Sequence, residues 1–272
     1  MTDLSTPAPV TPYAGLAYTP RRFRFDPAAE DRMMRVCGSD AALFGGMVDP
    51  AAFIPHAIRE SALNGVRENG GVNMLQVVRM ESPLALDEEI TVSGGITSVT
   101  EAPRGMITTA ETFYHGADGR LGMALRRVAL KTDPARAADP ALRGAGARPA
   151  PLIDDPEALD PLGAVALTPE DVKTYSAGTA NLLHVDPEAA ARAGYRAPIV
   201  GGSQGVRYMT AALWREGAPG RVELDIRFRR PIFWDDAFEV RAEGEKGARS
   251  ALCLSRGPKV LMEMRVRRQE AS

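Results

Sequence analysis

Apolar and polar residues alternate with a two-residue period in several short runs, each bounded by turn residues. Met106–His115 and Leu121–Lys131 are two such runs. The His-Gly-Ala-Asp-Gly stretch between them predicts a β-hairpin. Arg249–Ser255 and Lys259–Arg267, joined through Arg-Gly-Pro, predict a second. Two longer segments read as helices instead. Asp49–Val66 opens with Asp-Pro, and Ser203–Glu216 opens with Ser. Asp or Ser at the N-cap and Pro at the first helical position are helix-start signals, because they satisfy or remove unpaired N–H groups. A shorter helix is predicted before each long one, opened by Asp26-Pro27 and by Thr168-Pro169-Glu170-Asp171.

These segments form two copies of one pattern. Arg79, Pro83, Asp87-Glu88, Ile90 and Val92 recur as Arg227, Pro231, Asp235-Asp236, Phe238 and Val240, each displaced by 148 positions. In both copies a strand runs up to a Pro, which cannot donate to a ladder, and an acidic turn leads into the next strand. Each half therefore reads as a short helix, a long helix and about four antiparallel strands. A helix packed on a curled antiparallel sheet is an α+β architecture. Two copies in tandem predict a fused pseudo-dimer whose sheets join edge to edge, which would cover exposed strand edges. On this reading residues 1–20 are an N-terminal arm and 21–132 the first unit. Residues 133–163 are a Pro/Ala-rich linker, and 164–272 are the second unit.

Composition narrows the functional classes. The 272 residues are 44% hydrophobic and 25% charged, which excludes a largely disordered or collagen-like chain. A net charge of −2 offers no basic field for nucleic acid or an anionic membrane surface. No apolar run reaches the roughly 18 residues of a membrane-spanning helix, and the N-terminus lacks the basic and apolar regions of a signal peptide. A cytoplasmic protein without nucleic-acid or membrane partners is the expectation. Cys37 and Cys253 form no CxxC, and His56, His115 and His184 lie far apart, so neither a disulfide framework nor a metal site is expected.

Candidate chemistry concentrates between Tyr175 and Ser203. His184 falls in a loop two residues before Asp186-Pro187-Glu188, a strong helix start. A loop side chain held by a rigid helix end is well placed for function, although a lone histidine also suits a structural role. Asn181 can be a plain turn residue. Gly201-Gly202 before a helix can permit close packing, or it can expose N–H groups to an oxyanion. His56, within the first long helix, reads as a packing or surface residue rather than a ligand, and His115 as an exposed hairpin residue. Arg196, Arg207, Arg227, Arg229 and Arg230 are candidates for phosphate contacts, with a solvated strand face the alternative for Arg227 and Arg229.

Taken together, Tyr175, Ser176, Gly178, Asn181, Leu183, His184, Asp186, Gly194, Tyr195, Pro198, Ile199 and Gly202 resemble the motif of the MaoC-like family, the R-specific enoyl-CoA hydratases and dehydratases of hot-dog fold. The close match covers about 30 residues, and the repeat extends a looser one over most of residues 20–270, as in double hot-dog members. The resemblance implies a tandem hot-dog, two long helices each wrapped by a curled antiparallel sheet. It implies a hydro-lyase acting on an acyl-CoA thioester, with no cofactor, as a homodimer of double hot dogs. His184, Thr179, Asn181 and the Gly202 N–H would be the catalytic groups, and Tyr175, Ile199 and Ser203 the substrate-binding ones. Two positions depart from the family: Thr179 stands where the motif has its catalytic Asp, and Leu182 where it has Pro. A Thr hydroxyl orients water but is no base at neutral pH. Two alternatives therefore stay open, a hot-dog enzyme of another reaction (a thioesterase, or a lyase on a non-CoA substrate) and a non-catalytic partner subunit. In the first half, Ser39 aligns with Thr179 and Phe44 with His184, so this half lacks the histidine. Asp40 lies one residue out of register and reads as a loop acid. The first half is then expected to keep the fold and shape the acyl tunnel.

Overall fold

The computed structural model describes residues 7–67, 71–142, 145–146, 148–179 and 181–271. The first six residues of the expected arm and residues 143, 144 and 147 of the expected linker lie outside that set.

The first half runs β1 (Ala17–Phe23), α1 (Pro27–Val36), α2 (Phe53–Leu63), β2 (Gly71–Met80), β3 (Ile90–Ala102), β4 (Gly105–His115) and β5 (Leu121–Thr132). A connecting segment carries the short α3 (Pro134–Ala138). The second half runs β6 (Asp160–Ala166), α4 (Pro169–Tyr175), α5 (Pro187–Arg192), α6 (Gly202–Glu216), β7 (Pro219–Phe228), β8 (Ala237–Glu245), β9 (Ala248–Arg256) and β10 (Lys259–Ala271). All ten strands form one sheet in the order β1-β3-β4-β5-β2-β7-β10-β9-β8-β6. Every neighbouring pair is antiparallel. This is two hot-dog units in tandem.

The halves meet at β2 and β7, paired from Leu75↔Arg227 to Met80↔Val222. These two strands carry the sequence repeat: both end three residues before the repeated proline, Pro83 or Pro231. The duplication extends to the loops. Met47 bridges Ala85 and Ile199 bridges Phe233, so each loop before a long helix is tied to the turn after its own seam strand. The cores of the two halves are continuous, with Phe53 and Ile54 of α2 and Val206 and Leu213 of α6 in one cluster with Leu224 and Ile226 of β7.

The element boundaries show where local signals fall short. The first long helix is shorter than Asp49–Val66. Its opening turn, Pro50–Ala52, is 3-10, and the α-helix ends at Leu63 before Asn64 and Gly65, the latter at φ +83°. A left-handed Gly is a natural helix stop. Among the described residues each half has five strands, not four. The extra ones, β1 and β6, begin inside the stretches expected as arm and linker. Both are edge strands, contain Pro20 or Pro161, and show a register shift there. Edge strands tolerate proline, but proline and bulges hide the two-residue alternation.

His56 packs against Phe23 and Phe25, at ring-centroid distances of 4.8 and 4.5 Å. Burial, with Arg59, Arg21 and Arg207 adding to it, pushes its imidazole down to about 3. The unfolded chain, with an ordinary histidine near 6.5, takes up a proton on acidification that the native chain refuses. The stability tied to His56 is thus intact above pH 6.5 and is lost as pH falls towards 3, by about 1.4 kcal/mol per pH unit. Calorimetry of His56→Leu should show a shallower fall in Tm between pH 6.5 and 5 than the wild type; parallel curves would exclude this role.

Candidate active site

The loop between α4 and α5 positions the candidate histidine through three short-range caps. Thr179 Oγ1 accepts from the Asn181 N–H at 3.3 Å. Asn181 Oδ1 accepts from the Leu183 N–H at 3.2 Å. Asp186 caps α5 through the Glu188 N–H at 2.8 Å. The loop is then pinned to the strand-like segment before α6, where the Ile199 N–H donates to the Leu183 carbonyl at 3.0 Å.

These contacts fix the protonation pattern of His184. Its Nδ1 lies 2.7 Å from the Ile199 carbonyl, which can only accept, so Nδ1 carries the proton. Nε2 lies 3.1 Å from Asn181 Nδ2. Because Asn181 Oδ1 is held by Leu183, its NH2 group faces the ring and donates to the Nε2 lone pair. Burial lowers the His184 pKa, against the partial opposing effect of the Ile199 carbonyl. The side chain is a neutral imidazole with a basic Nε2 at neutral pH.

Nε2 faces the start of α6. A Cβ placed on Gly201 would lie 3.9 Å from both His184 Cε1 and Nε2, so the ring and the helix start are in contact distance. A Cβ on Gly202 would lie 2.7 Å from the Phe228 ring, so only glycine lets β7 close on the helix there. Among the described residues no side chain caps α6, whereas the turn that opens α2 is capped by Asp49 through the Ala51 N–H. The first N–H groups of an uncapped 15-residue helix point at the space beside His184 and favour negative charge there.

The matching place in the first half has lost each of these features. The paired bridges make Pro50 the counterpart of Gly202, and proline has no N–H to offer. Phe44, the residue aligned with His184 in sequence, packs on Trp214, at 5.5 Å between ring centroids. Asp40 accepts from the Leu43 N–H at 3.0 Å, as a loop acid does.

The remaining predicted residues divide. His184, Asn181, Thr179, Ile199 and Gly202 come together. Tyr175 and Ser203 are buried beside one another, with the Tyr175 hydroxyl donating to Ser203 Oγ at 3.1 Å. They belong to a network that the sequence did not reveal. Arg207 of α6, 1% exposed, donates to Tyr175 Oη at 3.1 Å, Glu30 at 2.5 Å and Asp49 at 3.2 Å. Thr210 adds a 3.0 Å bond to Asp49. Burial raises the pKa of both Glu30 and Asp49, with Arg207 opposing it. The signal in the sequence is an arginine in the middle of a helix that carries no other charge between Gly202 and Trp214.

This network also removes Arg207 from the phosphate candidates, and the others are engaged too. Arg196 pairs with Asp235 and Asp236 and lies over the Phe233 ring, 4.1 Å from its centroid. Arg227 and Arg229 donate to the carbonyls of Ala150 and Pro149, so they tie the connecting segment to β7 rather than forming a free solvated face. Arg230 donates to the Val260 carbonyl at 2.5 Å. His115, expected to be exposed, is half-buried at the end of β4 opposite Leu121. Among the described residues no three His, Cys, Asp or Glu side chains gather as a metal site, and no helix is long and apolar enough to cross a membrane.

Residues 157–252 match the family described as MaoC like domain. No curated protein matches the chain. Solved structures similar to it include HtdX from Mycobacterium tuberculosis, at 19% identity and a TM-score of 0.72 over 93% of this chain and 99% of that one. A MaoC-like dehydratase from Phytophthora capsici is 16% identical, with a TM-score of 0.68 over 94% and 97% of the two chains. The full-length peroxisomal multifunctional enzyme type 2 from Drosophila melanogaster is 15% identical, with a TM-score of 0.67 over 92% of this chain and 48% of that one. At these identities the likeness establishes the fold.

Proposed function

Residues 157–252 form a MaoC-like domain within a double hot-dog chain, and from this we propose that the protein is a hydro-lyase acting on a 2-enoyl or 3-hydroxyacyl thioester, with CoA as the thiol. The observation that carries the reading is a neutral His184, its Nε2 basic and facing the uncapped start of α6. In the hydration direction, the Asn181 NH2 turns from Nε2 to the water, and Nε2 accepts a proton from that water as its oxygen bonds to C3. The C2=C3 electrons move onto the thioester oxygen, where the Gly202 N–H holds the developing negative charge. The enolate then takes a proton at C2 from the imidazolium, which returns His184 to its neutral form. Asn181 and Thr179 orient the water. The reaction needs no metal or redox cofactor, because the thioester itself stabilises the carbanion at C2. We place the protein in the cytoplasm as a homodimer of double hot dogs. A coupled assay with crotonyl-CoA tests the activity; absence of hydration over a range of enoyl-CoA lengths rules it out.

A second reading rests on Thr179. With threonine where the motif has its Asp, the site also suits another hot-dog reaction, such as thioester hydrolysis, or the role of a binding subunit that needs a second hot-dog chain. Substitution at this position separates the readings. Thr179→Val loses the hydroxyl at nearly constant volume, together with its bond to the Asn181 N–H, and should lower hydration roughly 2–10-fold, as expected for one neutral hydrogen bond. Thr179→Asp supplies a second base and raises the His184 pKa, and should raise hydration of crotonyl-CoA by up to about 10²-fold. An active wild type with an inert Thr179→Asp points to a site rebuilt for a different substrate. If both are inert yet bind CoA thioesters, the partner-subunit reading gains.

A further inference from the structure

The inner faces of the two half-sheets differ in one respect that the pseudo-symmetry makes plain. Opposed residues in an antiparallel ladder share a face. In the second half the inner positions pair Leu224 with Val266, Met264 with Leu252 and Met262 with Leu254. The same ladder positions in the first half pair Gln76 with Arg127, Leu125 with Thr112 and Met123 with Tyr114. Leucine has been exchanged for Gln, Thr and Tyr at three places on one face. Gln76 and Tyr114 are 0% exposed and Thr112 is 2% exposed. Among the described residues neither amide atom of Gln76 has a hydrogen-bond partner, and the hydroxyls of Thr112 and Tyr114 have none beyond each other. Buried polar groups without partners destabilise a fold, and several of them clustered on one face need an explanation.

Their position supplies one. Gln76 is opposite Ile226, and Phe228, two residues further along β7, closes on Gly202. At a rise of about 3.4 Å per residue and a strand spacing of about 4.8 Å, the backbones of Gln76 and Phe228 lie about 8 Å apart. An extended acyl chain of roughly six to eight carbons spans that distance. Gln76 is the first of the three residues met on leaving the α6 N-terminus across the seam; Thr112 and Tyr114 lie beyond it.

We propose that the acyl chain of the substrate carries an uncharged oxygen function, a hydroxyl or keto group near its far end, which Gln76 receives together with the hydroxyls of Thr112 and Tyr114. The inference rests on the thioester hydro-lyase reading and specifies its substrate. An amide and two hydroxyls both donate and accept and carry no charge, so they match a neutral oxygen. The nearby charges are already engaged: Glu60, 2% exposed, pairs with Arg21, and Arg127 Nε donates to Asn73 Oδ1 at 2.7 Å.

The test compares trans-2-octenoyl-CoA with its 8-hydroxy derivative, in the wild type and in Gln76→Leu, which installs the second half's residue. Wild type should favour the hydroxylated substrate in kcat/KM by about ten-fold or more, since a site built to bond an oxygen rejects the analogue lacking it. Gln76→Leu should lose or reverse that ratio, and its Tm should equal or exceed that of the wild type. A wild type that prefers the plain chain, an unchanged ratio in Gln76→Leu, or a lowered Tm each overturns the proposal. So does a preference for the octenedioyl mono-CoA over the hydroxylated substrate, because the group would then be charged. Crotonyl-CoA, too short to reach Gln76, reports separately on the hydro-lyase reading. If the wild type hydrates none of these thioesters, calorimetric Kd values for octanoyl-CoA and 8-hydroxyoctanoyl-CoA decide the matter. Tighter binding of the hydroxylated ligand, lost in Gln76→Leu, supports the assignment, and equal binding overturns it.

Discussion

His184→Ala should lower kcat by roughly 10²–10⁴-fold with the fold intact, the usual contribution of a positioned acid–base group. The side chain is half-buried in a loop held independently by Asn181, Asp186 and Ile199 through backbone N–H groups, so its loss leaves the other anchors in place. The pH profile carries a sign. Burial disfavours the imidazolium, so the group's pKa is lowered and the basic form persists to lower pH. The acid limb of kcat/KM should therefore fall below the ordinary histidine value of about 6.5. Unchanged turnover in His184→Ala would remove the mechanism; an acid limb above that value would contradict the assigned environment.

Arg207→Met should destabilise the native state by about 3–5 kcal/mol, the range for removing one partner of a buried ion network. Methionine fills most of the volume, but Glu30 and Asp49 lose the guanidinium that compensates their burial. Both carboxyls are already raised in pKa with Arg207 present, and without it they rise further. In the variant they are more protonated folded than unfolded, so its deficit should shrink as pH falls through the carboxyl range. Denaturant titrations at pH 7.5 and pH 5 measure this. A deficit of equal size at both would show that lost packing, not unpaired charge, dominates.

The contrast between His184 and Arg207 shows what the chain's sequence makes legible. The candidate loop is a local object: Thr179, Asn181, His184 and Asp186 act over two or three residues, and their cap signals are present in the order of the residues. The hairpins and the repeat were legible for the same reason, since a strand, a proline and an acidic turn are neighbours in sequence. The Arg207 network joins residues 177 and 158 positions apart, and nothing local announces it. The sequence offers Tyr175 and Ser203 as substrate contacts but does not disclose the bonds that their hydroxyls make within the protein. The arginines failed differently. Strand alternation places Arg227 on an outer face, but it does not reveal that residues 149–150 lie across that face and take up Arg227 and Arg229. The edge strands β1 and β6 were hidden by the prolines that suit them to an edge.

The β2–β7 seam has a consequence for how the chain comes into being. The two strands are 148 positions apart, so during synthesis at about 5–20 residues per second β2 waits roughly 7–30 s for its partner to emerge. For that interval the first half carries an open strand edge with a partly apolar row, Val72, Leu75, Val77 and Val78. Strand edges of that kind template pairing with other chains. The contact that makes the molecule one sheet is also among the longest-range in the chain, and such contacts slow folding because the intervening loop must close first. The seam thus sets a period in which a neighbouring nascent copy competes with β7 for the same edge, and high local concentration of the protein favours exchange of halves between chains over closure within one.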